Sequence, residues 1–248
     1  MIGSKEPSGP PESFRRAEIV AGLARVRTRL VEAAEAADRD PRSITLIAVT
    51  KTFAAVDAAT LVSLGVRELG ENRDQEARPK AAEVARLRPD DEVRWHFVGQ
   101  LQRNKARSVA RYAHWVHTVD RPAVADALAR SVENLDRDPL PVLIQLSLDG
   151  NPARGGVAAG GLAALADHVA GLPGVRLLGL MAVAPLGQDP DRAFAALAGR
   201  SAELRRSHPD AEVISAGMSA DLEAAIRHGA THVRVGSALL GRRSPDLG

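Results

Sequence analysis

Cysteine is absent from this chain, which excludes a disulfide scaffold, cysteine metal sites and a thiol nucleophile. That suits a reducing compartment, and a cytoplasmic location is expected. Aromatic residues make up only 3% of the sequence, leaving few platforms for stacked nucleic-acid bases. An excess of one charge is missing as well: 33 basic residues face 31 acidic ones, so nothing points to a polyanion. No apolar run approaches the roughly 20 residues that a membrane span needs. Neither nucleic acid nor a membrane is therefore expected as a partner. Lysine is scarce too, with only Lys5, Lys51, Lys80 and Lys105, which makes a lysine beside an apolar strand informative.

What is present is a chain of 248 residues, 45% hydrophobic, enough for one large domain. Residues 1–12 (MIGSKEPSGPPE) are rich in proline and lack an apolar core; they read as a disordered tail, not a signal peptide. From 13 to 248 a single domain is expected. Ser13 is suited to cap a helix whose Ile19, Leu23, Val26, Leu30 and Ala34 recur every three or four positions, with Asp40-Pro41 ending it. The β-branched run from Ile44 to Val49 then marks a buried strand.

After it, helical stretches near 55–64, 73–87, 101–111, 121–134, 159–171, 190–206 and 219–228 alternate with strand-like runs. Those runs fall near 66–70, 94–98, 114–119, 141–148, 175–183, 212–216 and 231–236, which makes eight strands in all. Such alternation predicts a parallel sheet, and eight units in this length predict a closed (β/α)8 TIM barrel of the α/β class, with one extra N-terminal helix. An open doubly wound sheet would carry Gly-x-Gly-x-x-Gly after its first strand; here that turn reads Thr50-Lys-Thr-Phe-Ala-Ala55.

In a barrel of this kind chemistry sits at the carboxyl ends of the strands. Lys51 ends the first strand, and alternation directs it inward with Ile47 and Val49. An amine in an apolar mouth loses proton affinity and can attack an aldehyde, although a strand-end lysine reaching for water is the plainer reading. Ser215-Ala-Gly-Met-Ser219 joins strand seven to its helix, and Gly236-Ser237 follows strand eight, the two loops where this fold usually holds phosphate. A serine cap beside a glycine turn is the bland alternative. Arg234 is expected to point inward with His232; a buried guanidinium needs a partner, either a phosphorylated ligand or a carboxylate such as Glu68 or Glu71. Arg103, Arg107 and Arg111 form a basic stripe best read as a solvated helix face, Trp95 and Trp115 read as packing residues, and no histidine sits in a metal-ligand cluster.

Several blocks together give a resemblance: Ala48-Val-Thr-Lys51, Gly70-Glu-Asn72, Trp95-His-Phe-Val-Gly-Gln-Leu-Gln-Arg-Asn-Lys105, His117-Thr-Val-Asp120, Gly179-Leu-Met-Ala182, the segment Gly217 to Ile226, and Val233-Arg-Val-Gly236. From about residue 13 to 243 the chain resembles the pyridoxal phosphate homeostasis protein family (YggS/PROSC-like), whose fold-type III barrel is similar to the amino-terminal domain of alanine racemase. The resemblance implies a pyridoxal 5′-phosphate carrier without turnover, storing the cofactor or delivering it to apo-enzymes, with a monomer as the expected state. It implies that Lys51 forms the Schiff base and that Arg234 faces the pyridine nitrogen. It further implies that Ser215, Gly217, Met218, Ser219, Gly236 and Ser237 form the phosphate loops, with Asn72 near the cofactor.

Two departures from the family stand out. Proline commonly follows the cofactor lysine at a short distance, whereas Thr-Phe-Ala-Ala follows Lys51. Many members have lysine where this chain has Arg154, which cannot form a Schiff base. Two enzymatic alternatives are an amino-acid racemase and a Schiff-base aldolase. The racemase would need a tyrosine opposite the lysine, and the sole tyrosine, Tyr112, falls in a predicted helix away from the mouth. The aldolase would need no cofactor and would be colourless.

Overall fold

The computed structural model describes residues 12–151 and 154–241. Apart from Glu12, the expected tail lies outside them. Eight parallel strands close in chain order: β1 (Thr45–Val49), β2 (Glu68–Glu71), β3 (Arg94–Phe97), β4 (Trp115–Val119), β5 (Leu140–Gln145), β6 (Val175–Met181), β7 (Val213–Ser215) and β8 (His232–Val235). β8 pairs with β1 in a register that sets Ile47 beside Arg234 and Ala48 beside Val235, which closes the barrel.

Helices follow the strands as the periodicity predicts: α2 (Ala55–Ser63), α3 (Asp74–Leu87), α4 (Ala106–Tyr112), α5 (Pro122–Glu133), α6 (Leu162–Ala170), α7 (Pro190–Ser207) and α8 (Leu222–Arg227). The stretches expected at 101–111 and 159–171 each open with a 3-10 turn before the α-helix. A short helix, α9 (Ser237–Leu240), was not expected; four residues are too few to show a helical period.

The extra helix, α1 (Glu12–Glu35), begins at Glu12, ahead of the expected Ser13 cap, and ends before Asp40-Pro41, which instead starts a 3-10 turn. Its stripe of Ile19, Leu23, Val26, Leu30 and Ala34 is buried, and the helix crosses the outside of the barrel against α2, α8 and α9. Polar ties fix it there. Arg15 grips Asp57 and the Leu240 carbonyl. Arg29 pairs with Glu223 and donates to the Ser219 carbonyl at 3.0 Å, so α1 braces the loop after β7.

Alternation along the strands separates two environments. Ala48, Leu69, Trp95, Phe97, Val116, Val233 and Val235 face the helices in two large apolar clusters. The opposite positions turn into the barrel, where Ile47, Leu143 and Met181 are buried beside His96, His117 and Arg234. Burying so many polar side chains is costly unless each is hydrogen-bonded, and their bonds define the site.

Candidate functional site

The sequence-derived residues gather at the carboxyl ends of β7, β8, β1 and β2, four consecutive staves of the barrel. Lys51 lies one residue beyond β1's last main-chain bond to β2, donated by Thr50 N–H to the Gly70 carbonyl. It is exposed in a turn, and no hydrogen bond or ion pair engages its side chain among the described residues. Strand β1 ends at Val49, and Lys51 lies in the turn that follows it at the carboxyl end of the strand. The turn itself is unusual: the next residue, Thr52, has φ +68, a left-handed conformation that a β-branched side chain resists. Its N–H is held by Glu76 Oε2 at 3.1 Å.

Beneath the turn sits a buried cluster that the sequence did not reveal. Lys80, reaching in from α3, donates to Glu71 Oε1 at 2.6 Å and to the Thr50 carbonyl at 2.7 Å. The Thr50 hydroxyl donates to the same Glu71 oxygen at 2.6 Å. Burial pushes the Glu71 carboxyl above its usual range, with the Lys80 and Thr50 hydrogen bonds opposing. Asn72, just past β2, has a buried Oδ1 without a hydrogen-bond partner, and it borders a cavity of about 460 Å³ shared with Gln100, Gln102 and Lys105.

The loops after β7 and β8 meet each other directly. Ser237 Oγ donates to Ser219 Oγ at 3.2 Å, and Ala238 N–H reaches the same atom at 3.3 Å. Gly217 adopts φ +88, and a Cβ there would stand 2.6 Å from Ala225 Cβ; only glycine makes this turn without strain. A Cβ on Gly236 would come within 3.0 Å of the Val49 carbonyl, so that loop crosses tightly over β1. Met218 is exposed, and its N–H is taken by Asp221 Oδ1 at 2.6 Å.

Arg234 points into the barrel as expected, but its partner is not a carboxylate. Nη1 donates to Ser215 Oγ at 2.6 Å and Nη2 to the Ala182 carbonyl at 2.9 Å. Glu68 is occupied by Arg94 and His96, and Glu71 by Lys80, so the expected ion pair with either is not formed. Burial lowers the guanidinium to about 10, an uncommon depression for arginine. Ser215 therefore anchors Arg234 from below. Arg154 pairs with Asp149 at 2.8 Å and donates to the Val183 and Ala184 carbonyls, so it ties its own loop to the segment after β6.

Sequence reading missed the interior neighbours of this site. His96, His117 and His232 cluster with Trp115 at ring separations of 5.1–6.5 Å, so Trp115 is an interior residue, while Trp95 packs under the helices. The signal was available, since helix-facing Trp95 and Phe97 force His96 inward. The stripe residues Arg103, Arg107 and Arg111 are exposed, as a solvated face requires. Among the described residues no group of histidines and carboxylates is arranged to hold a metal, and no helix is long and apolar enough to cross a membrane.

Known proteins share this fold. Residues 23–244 match the model of the alanine racemase N-terminal domain family. The pyridoxal phosphate homeostasis protein of Mycobacterium leprae is 45% identical over 240 residues, covering 92% of this chain and 93% of the relative. Among solved structures, PipY of Synechococcus elongatus PCC7942, with PLP bound, superposes with a TM-score of 0.78 at 34% identity, covering 90% of this chain and all of that one. An alanine racemase from Corynebacterium glutamicum shares the fold alone, at 17% identity and TM-score 0.67, with 60% of its length covered. This chain belongs to the pyridoxal phosphate homeostasis protein family, built on the alanine racemase N-terminal domain.

Proposed function

We propose that this protein binds pyridoxal 5′-phosphate at the β7–β8–β1–β2 end of the barrel and serves to hold and hand on the cofactor. One observation carries the reading: a free lysine, a buried arginine and two tight glycine–serine turns converge on neighbouring strand ends. PipY, a relative of the same fold, was solved with PLP bound. The residues fit the group. Lys51 supplies an unengaged amine that would hold the cofactor through its aldehyde carbon. Ser219 and Ser237 supply paired hydroxyls, and Gly217 and Gly236 supply close main-chain approach, for a phosphate. Ser215 contributes to the same loop through Arg234, Met218 lies exposed on it, and Asn72, with its buried unpartnered Oδ1, would offer the cofactor an acceptor.

When bound, pyridoxal phosphate supplies an aldehyde to amines and an electron-withdrawing ring. Arg234, held by Ser215 and the Ala182 carbonyl, would present a donor to that ring's nitrogen, and a donor there would disfavour protonation of the nitrogen and weaken the ring as an electron sink. That favours a carrier over a catalyst. The sole tyrosine supports the same side: Tyr112 has a buried, unpartnered hydroxyl, and burial raises its proton affinity, with Asp74 and Glu71 adding to the rise. Such a group is ill placed to act as the second base of a racemase.

The test is the visible absorbance of the purified protein given pyridoxal phosphate. A visible band that persists after dialysis and that Lys51→Ala removes is expected; the same band in Lys51→Ala contradicts the reading. Incubation with single-enantiomer amino acids is expected to leave optical purity unchanged, and sustained loss of it would make the protein a racemase.

A further inference from the structure

A chain of hydrogen bonds runs through the barrel interior to Arg234. Glu68, the first residue of β2, takes Arg94 on Oε1 and meets His96 Nε2 with Oε2 at 2.7 Å. His96 Nδ1 lies 2.9 Å from His117 Nε2, and His117 Nδ1 lies 2.9 Å from Ser215 Oγ. Arg234 Nη1 reaches that same oxygen at 2.6 Å. Ser215 ends β7 and Glu68 begins β2, so the chain spans the barrel from its amino-terminal end to its mouth. His96, His117, Ser215 and Arg234 are each at most 5% exposed, so their donors and acceptors must be matched within the protein.

That matching permits one polarity. Arginine only donates, so Ser215 Oγ accepts from Arg234. The Ser215 hydroxyl must still place its own proton, and among the described residues His117 Nδ1 is the remaining atom bonded to it. A bare Nδ1 puts the His117 proton on Nε2, where it is given to His96 Nδ1. His96 then carries its proton on Nε2 and gives it to Glu68. Every proton points toward Glu68, and both imidazoles are neutral. The reverse arrangement, with His96 doubly protonated, makes His117 Nδ1 a donor and strands the buried Ser215 proton.

The charges agree with the geometry. Burial lowers the proton affinity of His96 and depresses that of His117 strongly. Burial alone would raise the Glu68 carboxyl, but the hydrogen bonds and charges of His96 and Arg94 outweigh it and hold it below its usual range. Trp115 stacks on His96 at 5.7 Å and His232 lies 6.5 Å from His117, so the ring planes are confined.

We propose that Glu68, His96 and His117 form a positioning relay that locks the tautomers of both rings and turns the Ser215 hydroxyl so that its lone pairs hold Arg234 against the cofactor ring. The proposal rests on the reading of Arg234 as the residue facing that ring. It makes Glu68, at the far end of the barrel, a determinant of how tightly the cofactor is kept.

The first test needs no cofactor. Nitrogen-15 NMR of the imidazole rings, assigned with His96→Gln and His117→Gln, is expected to show both rings neutral with the proton on Nε2 at pH 7. An Nδ1–H tautomer or an imidazolium at either ring overturns the relay. The second test loads Glu68→Gln with pyridoxal phosphate. Attachment at Lys51 is expected to persist, with cofactor release about tenfold faster, the scale of one weakened hydrogen bond to a charged group. A shifted absorbance maximum is expected as well, with Glu68→Asp recovering part of both changes. Release and spectrum unchanged in folded Glu68→Gln overturn the proposal; should that variant not fold, Ser215→Ala gives the same two readouts. Wild-type protein that takes up no pyridoxal phosphate overturns the cofactor reading instead, with the ring tautomers still deciding the relay.

Discussion

Lys51 and Lys80 approach the same turn from opposite sides, and their surroundings give them opposite chemistry. Lys80 is buried, bonded to Glu71 and to the Thr50 carbonyl, and so pins the main chain one residue before Lys51. Lys51 itself is exposed and unengaged among the described residues. A side chain held between a carboxylate and a main-chain carbonyl is not free to reach an aldehyde, whereas one left unengaged at the edge of the mouth is. Scarcity of lysine drew attention to Lys51 alone, and it is their partners that set the two lysines apart.

The largest expected effect breaks the pair apart. Lys51→Ala is expected to lose the visible cofactor band completely, while Lys80→Met is expected to keep it in whatever fraction folds; absorbance of the two variants at matched concentration decides. Stability should invert that ranking. Removing Lys80 leaves the buried Glu71 carboxylate uncompensated, and urea unfolding is expected to show a loss of about 3–5 kcal/mol. Lys51→Ala, at an exposed position, is expected to stay within about 0.5 kcal/mol of the parent.

Two smaller effects concern what surrounds the lysines. Gly217→Ala places a Cβ at φ +88 and against Ala225, and is expected to cost on the order of 1–3 kcal/mol and to weaken cofactor retention on dialysis. Acid probes the barrel interior instead. Burial pushes His232 down to about 4, whereas its unfolded value is about 6.5. Between those values the unfolded chain binds more protons, so stability falls as pH drops through this window, by about 2 kcal/mol at pH 5 from this residue alone. His96 and His117 shift in the same direction and add to the loss. Urea midpoints at pH 7.5 and pH 5 measure it, and equal midpoints would mean that these histidines take up protons in the folded protein as they do in the unfolded chain.

The barrel was legible because its strands alternate faithfully: a helix-facing residue such as Val233 or Val235 is apolar, and each helix repeats its stripe. Strand order and the position of Lys51, Arg234 and the two serine loops followed from that. Partners were not legible, since contacts such as Lys80 with Thr50 or His117 with Ser215 join residues 30 and 98 positions apart. Periodicity reports which face a residue lies on and carries no information about what meets it there. Arg234 illustrates the limit: alternation placed it inside the barrel, but it could not show that a serine hydroxyl and a carbonyl, and not the alternative carboxylate, are what it meets among the described residues. The short helix α9 escaped for the simpler reason of its length.

The central claim is that Lys51, and not the buried Lys80 or the cavity-lining Lys105, carries the cofactor. Borohydride reduction of the pyridoxal phosphate-loaded protein, followed by peptide mass mapping, tests it most directly. A single reduced pyridoxyl adduct on the peptide containing Lys51 is expected. An adduct on Lys80 or Lys105 in its place, or no adduct on a fully loaded protein, would contradict the account.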